Sequence, residues 1–313
     1  MPTTKKRFDR ECIVVGGGII GSTIAAHFKS RGIDTELIDS NEPMGGTAPS
    51  GGHLKPNWFR GMSKEEYLPA MDILDEHWGL ISQDFQIIMP KTYRTEEVKR
   101  VNVDHVLESP RTLAKALRVS KGPRGPILHL QRLGKRTERV NAMEDITDDL
   151  SCKILILAVG HWADRIVPTK HWDSGGINLQ GKAGISFRYT GQIESPFIEQ
   201  WAPYKQVVAH NQNEEEIWIG DGTAILNENW KPKHVIKSLK RCKEYMPEPK
   251  GVKHTLDRQL IGIRPFIKNG PVPCFCKEVT DKVWVVTGAS KLGTIAAGWS
   301  ALKILKEYKR RKK

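Results

Sequence analysis

The sequence predicts an α/β fold. A Rossmann-like dinucleotide-binding unit on parallel strands is joined to a second unit of antiparallel strands. Three observations predict this. Between Glu11 and Ser40 a strand, a glycine turn, a helix and a second strand follow one another. The apolar run Lys153 to Val159 reads as a strand buried on both faces. From His171 onward, short strand-like runs separated by turn residues replace that pattern.

The first strand is Cys12 to Val15, apolar and β-branched. Gly16, Gly18 and Gly21 then fit G-x-G-x-x-G. The first glycine allows a tight turn, the second lets a pyrophosphate approach the backbone, and the third lets helix and strand pack closely. A helix over Ile19 to Arg31 presents the amides of Ile19 and Ile20 to that phosphate. Thr35 to Ile38 is the second strand. Asp39 ends it, 18 residues past Gly21, where a carboxylate reaches a ribose hydroxyl, with Ser40 beside it. An acid at this place serves NAD and FAD alike. The loop that follows is rich in Gly, Ser and Pro, and Ser50, Gly51 and Gly52 are its candidate cofactor contacts.

Ser63 to Leu80 is predicted helical, with Tyr67, Met71, Leu74 and Trp78 forming a core stripe. Phe85 to Met89 is a strand stopped by Pro90. Ser109-Pro110 opens another helix, and Ile127 to Leu130 and Arg139 to Ala142 read as strands. The run from Lys153 ends at Gly160, where the chain can again approach a cofactor, with Trp162 two residues on. Leu179 to Gln192, Lys205 to Asn211 and Glu214 to Ala224 look antiparallel, and Pro232 to Tyr245 is a basic amphipathic helix. Ile261 to Pro273 reads as a loop, Lys282 to Gly288 as a buried strand, and Gly293 to Tyr308 as the closing helix.

The chain of 313 residues is long enough for two cores. It carries 49 Lys+Arg against 36 Asp+Glu, a net charge of +13, which implies affinity for polyanions such as nucleic acid. Arg111 to Arg139 holds nine basic residues against one acid, and Lys231 to Arg258 nine against three. Removing the five terminal charges of a solubilising tail still leaves 13 − 5 = +8. No membrane span and no secretory leader is expected. Five scattered cysteines suggest reduced thiols in a cytoplasm, and the C-x-C at Cys274 and Cys276 lacks the second ligand pair a zinc site needs.

Four blocks occur in order: the glycine motif, "ILILAVGHWAD", "GIRPFIKNGPVP" and "VWVVTGASKLGTIAAGWSALKI". Together they resemble the FAD-dependent amine oxidases of the D-amino-acid oxidase and glycine oxidase family, one branch of which works in tRNA modification. The resemblance implies FAD rather than NAD. It implies a glutathione-reductase-type FAD-binding domain (1–57, 100–168 and 260–313) interleaved with a smaller antiparallel-sheet substrate domain (58–99 and 169–259). Arg264 stands where the family grips the substrate carboxylate, and Lys291 where glycine oxidases present a second basic residue. Gly288, Leu292, Gly293 and Thr294 would lie along the flavin. The chain departs from the family at Ala289 and Asn269, and it is shorter between Trp58 and Val101. The implied chemistry is hydride loss from an amine α-carbon, which needs no general base, so none is assigned to His53, His161 or His254. With the +13 charge, the expectation is oxidative removal of a glycine-like adduct from a base of DNA or tRNA. The alternative is oxidation of a free small amine of the glycine or sarcosine type.

Overall fold

The computed structural model describes residues 8–39, 45–55, 59, 61–89, 91–107, 150–163, 167, 178–202, 205–211, 215–222, 225–226, 231–245 and 255–312. In chain order these form β1 (Phe8–Val15), α1 (Ile19–Ser30), β2 (Thr35–Ile38), β3 (His53–Leu54), α2 (Lys64–Trp78), β4 (Leu80–Met89) and β5 (Thr92–Val101). Then come β6 (Leu150–Leu157), β7 (Leu179–Thr190), β8 (Phe197–Ala202), β9 (Lys205–Asn211), β10 (Glu216–Gly220) and β11 (Ile225–Leu226). The last are α3 (Pro232–Tyr245), β12 (Thr255–Ile267), β13 (Phe275–Thr280), β14 (Val283–Thr287) and α4 (Gly293–Lys312), with single 3-10 turns at Gly160–Trp162 and Ser290–Leu292.

The first sheet has the order β13-β14-β6-β1-β2. Its strands are parallel except β13, which pairs antiparallel with β14 at the edge. Alternate residues serve its two faces. Cys12, Val14, Ile156 and Trp284 pack under α1 and α4, while Ile13, Val15, Leu155 and Val285 pack on the other side. α2 joins the helix layer, with Ile73 in the same cluster. Its N-terminus is closed by a capping box, Ser63 N–H donating to Glu66 Oε2 at 2.9 Å. Met71, Leu74 and Trp78 are buried, and the Trp78 indole N–H donates to Thr23 Oγ1 at 2.9 Å. α4 approaches α2 so closely that a Cβ at Gly298 would lie 2.0 Å from Ala70 O.

The second sheet runs β11-β7-β10-β9-β8-β4-β5-β3, with β12 also paired to β7. Among the described residues it has nine strands to the first sheet's five. It is antiparallel except for β4 against β8. One face buries Ile185, Phe187, Ile217 and Ile219 against Cys242 and Leu239 of α3. The other face is concave. Four strands separate β3 from β10 in the sheet, yet the His53 and Trp218 rings have centroids 5.4 Å apart. Arg100 on β5 likewise donates from Nη2 to Asn211 O on β9 at 3.0 Å. The sheet is therefore strongly coiled, and its interior holds Phe85, Val98, Ile198, Val208 and Trp218.

Several expectations change. Ile261 to Pro273 is not a loop: Ile261–Ile267 completes the 13-residue β12. Pro265 is tolerated because β12 pairs with β7 alone among the named strands, so the missing N–H interrupts no second ladder. Phe85 to Met89 is the end of a longer strand, β4, which forms a hairpin with the unanticipated β5. β8 and β13 also went unread. The basic end is not a free tail. α4 continues to Lys312, where Arg311 clasps Glu278 and Lys312 Nζ lies 2.9 Å from Glu11 Oε1. The helix expected at Ser109-Pro110 and the strands at Ile127–Leu130 and Arg139–Ala142 lie outside the described residues. Among the described residues, no helix is long and apolar enough to cross a membrane.

Candidate functional site

The glycine turn between β1 and α1 is built for close approach. Gly16 has φ 108° and donates its N–H to Ile38 O at 2.7 Å. A Cβ there would lie 2.3 Å from Ala158 O, and a Cβ at Gly21 would lie 1.9 Å from Gly16 O. Gly18 is the N-cap of α1 and makes no side-chain cap bond, so the helix N-terminus relies on outside acceptors. Thr47 supplies one: its Oγ1 accepts the Ile19 N–H at 3.0 Å. Asp39 folds back over the turn, its carboxyl within 2.9 Å of where a Cβ at Gly17 would stand. Ile20 is half-buried. Ser40 lies outside the described residues.

The loop at 45–52 crosses from this turn to the second sheet. Gly45 forms a parallel bridge with Ile263, and Pro49 and Gly45 O press on Gly262, whose Cβ would sit 2.4 Å from the proline ring. Ser50 stiffens the loop, accepting from Gly52 N–H at 3.1 Å. Gly51 leaves room for the His53 ring and Gly52, at φ 70°, for Val101 O.

Two further turns face the same region. Gly160 has φ 62°, and Thr287 Oγ1 donates to Gly160 O at 2.7 Å, tying the ends of β6 and β14 together. Trp162 follows with its ring tilted 37° against His161, centroids 3.7 Å apart. Gly288 has φ 77° and yields to Ile267, whose Cδ1 would lie 2.4 Å from a Cβ. Ala289 bridges Phe266, and the non-glycine Ser290 holds φ 50°. Leu292 and Gly293 are half-buried, Thr294 is buried and Lys291 is exposed. A Cβ at Gly160 or Gly293 would meet nothing within 4 Å.

Arg264 stands on β12 between these contacts, with Ile263 against Gly45 and Phe266 against Ala289. Its guanidinium lies across Gly184, which has no side chain to obstruct it. Burial lowers its pKa from the ordinary arginine value, while the Asp221 carboxylate opposes that shift. Asp221 is buried and accepts from Arg241 Nη1 of α3 at 2.8 Å. Lys182, across the ladder from Arg264, rests its Nζ 3.2 Å above the Phe266 ring.

Residues 11–90 match the DAO family, described as FAD dependent oxidoreductase. The chain is also similar to solved structures over nearly its whole length. One is the FAD dependent oxidoreductase PA4991 from Pseudomonas aeruginosa, at TM-score 0.63 and 14% identity, covering 100% of this chain and 93% of that one. Another is glycine oxidase from Bacillus cereus ATCC 14579, at 0.61 and 11%, covering 97% and 96%. A third is iminodiacetate oxidase from Chelativorans sp. BNC1, at 0.57 and 12%, covering 93% of both. Residues 11–90 carry the DAO match, and the chain as a whole shares the fold of these solved structures. FAD is its expected cofactor. The glycine cradle, the helix N-terminus and Asp39 suit the dinucleotide, and the room at Gly160 and Gly293 suits a planar ring. No curated protein sequence matches the chain.

Sequence reasoning missed Thr47, Asp221 and the interior of the coiled sheet. Thr47 sat in a glycine-rich loop beside better-placed candidates. Asp221 lay within the "GDG" turn, and nothing in its spacing tied it to Arg264. The cysteines at 12, 242, 274 and 276 are buried free thiols, and burial pushes the Cys274 thiol up to about 12. Among the described residues, His27, Glu76 and His77 bring ligand atoms within 4.8 Å of one another, but Arg31 holds both Glu76 oxygens at 3.1 Å.

Proposed function

We propose that this chain is an FAD-dependent amine oxidoreductase that removes a glycine-like adduct from a nucleic-acid base, leaving an aminomethyl pyrimidine and glyoxylate. The observation that carries this reading is the position of Arg264. It is bracketed by the cofactor loop at Gly45 and the turn at Ala289, with its planar fork laid over Gly184. Such a fork takes a carboxylate through two parallel N–H bonds. FAD, when bound, accepts the hydride that leaves the glycyl α-carbon. Arg264 orients that carbon through its carboxylate, with Lys291 as the exposed second cation at the mouth. Loss of hydride from carbon and of a proton from nitrogen leaves a C=N bond. Water adds to it, the N–Cα bond breaks, and glyoxylate departs from the aminomethyl base.

The nucleic-acid part rests on charge. α3 exposes Lys233, Lys237, Lys240 and Lys243, and its one acid, Glu244, lies 4.0 Å from Lys240 Nζ. Such a face positions phosphates, while the target base must leave its stack to reach Arg264. A second reading, oxidation of a free small amine, is favoured by the glycine oxidase and iminodiacetate oxidase names among the similar structures.

An oligonucleotide bearing a glycyl-aminomethyl pyrimidine, mixed with FAD-loaded protein without oxygen, is expected to bleach the flavin and release one glyoxylate per flavin reduced. Flavin that stays oxidised overturns the proposal. Bleaching by free glycine or sarcosine instead supports the second reading.

A further inference from the structure

The interior of the coiled sheet contains a set of hydrogen-bond donors that the amine site does not use. Arg188 on β7 is 0% exposed, and its Nε, Nη1 and Nη2 make no hydrogen bond. An Asp104 carboxylate oxygen lies 3.7 Å from Nη2, too far for one. The Trp218 indole N–H, directly across the ladder from Arg188, is buried without an acceptor. So is Ser186 Oγ, two residues along β7 on the same face. Arg100 has one nitrogen on Asn211 O, but its Nε and Nη1 are unpartnered and buried.

Among the described residues, the charges around Arg188 do not cancel. Asp104 and Glu216 face it as anions, and Arg100 and Arg258 as cations. Glu216 is engaged by Arg258 at 3.0 Å, which leaves two arginines against Asp104. The neighbouring His53 ring adds no charge at neutral pH, since burial and then Arg100 push its pKa down to about 3. A buried guanidinium without hydrogen bonds is costly, and this set offers donors almost alone.

We propose that Arg188, Trp218 Nε1 and Ser186 Oγ form an internal anion site that takes a carboxylate. The site continues the row on β7 that starts where Arg264 crosses Gly184. Arg188 is four residues further along, about 13 Å in an extended strand. The carboxylate is either the far end of an amine held at Arg264 or a free small carboxylate. Only the first source rests on the amine reading.

Isothermal titration of the FAD-loaded protein without oxygen tests this. The ligands are 6-(carboxymethylamino)hexanoate, the equally long N-hexylglycine, and acetate. If the substrate supplies the carboxylate, the dicarboxylate binds about tenfold tighter than N-hexylglycine, the step of one modest charged hydrogen-bond set. Arg188→Met abolishes that preference, and Trp218→Phe, which removes a single N–H, reduces it. If a free carboxylate is the ligand, acetate binding is lost in Arg188→Met while both amines bind alike. Arg188→Met is also expected to keep or raise Tm, since it removes an unsatisfied buried cation. Preferences unchanged in both variants, or a lower Tm in Arg188→Met, overturn the site. Flavin bleaching by N-hexylglycine, with the dicarboxylate's preference and acetate binding both indifferent to Arg188→Met, leaves the amine reading intact and removes the anion site. Arg188-dependent binding without bleaching does the reverse.

Discussion

Gly21 and Gly293, both expected to contact FAD, have opposite surroundings. A Cβ at Gly21 collides with Gly16 O, whereas one at Gly293 meets nothing and the residue already has helical φ of −53°. Gly21→Ala is therefore expected to cost about 3 kcal/mol or more and to yield protein without flavin, read as the ratio of absorbance at flavin and protein wavelengths. Gly293→Ala is expected to fold with an unchanged or slightly higher Tm and to bind FAD more weakly. Full FAD affinity in that variant would place the flavin elsewhere. Two histidines set an acid limit. Burial, then the Arg31 charge, push His27 down to about 4, and burial and Arg100 push His53 to about 3. Between those values and the unfolded pKa near 6.5, the unfolded chain binds protons that the folded chain does not. Stability therefore falls as pH drops through that window, on the order of 2 kcal/mol per ring between pH 7 and 5. Thermal melts across pH check this, and either His27→Gln or His53→Gln should flatten the slope.

At the scale of elements, α3 is fastened to the end of β10 by one ion pair. Asp221 has a fully buried side chain and its partner Arg241 is largely buried. Arg241→Met takes the 2.8 Å cation away from that buried carboxylate, so a loss of about 3 kcal/mol is expected in denaturant melts. A Met variant as stable as the parent would show that Asp221 finds water or another cation. Much of the element order was legible. α1, β2, β9 and α3 match their expected spans to within a residue, because short loops, glycine turns and strong periodicity leave few alternatives. β12 was not legible, since "GIRPFIKNGP" carries proline and glycine at both ends, the usual marks of a loop. Only its ladder with β7 makes it a strand.

For the whole molecule, charge is distributed in two ways. The C-terminal basic residues are partly neutralised, with Arg311 on Glu278 and Lys312 on Glu11, whose carboxyl is held at about 2 by Lys312 and Lys153. The lysines of α3 remain facing solvent. If nucleic acid is the substrate, binding should weaken steeply with salt, each phosphate contact contributing about −0.9 to the log–log slope on duplex DNA. Replacing Lys233, Lys237, Lys240 and Lys243 by Ala should make the slope shallower by about 2 to 4 in fluorescence-anisotropy titrations. An unchanged slope would remove α3 from the interface.

The sequence by itself determined the glycine turn expected to hold the cofactor phosphates. Gly16, Gly18, Gly21 and Asp39 are local, held within one strand–turn–helix–strand unit, so their spacing already contains their geometry. Arg264 was named through a family resemblance at the short GIRP motif. What surrounds Arg264 was decided by tertiary structure alone. Gly184 and Asp221 meet Arg264 from neighbouring strands, while Arg188, Trp218, Arg100 and His53 lie further along on β7, β10, β5 and β3. They converge because the second sheet coils until strands distant in its order face one another. No spacing along the chain encodes that coiling, which depends on the combined twist and register of nine strands.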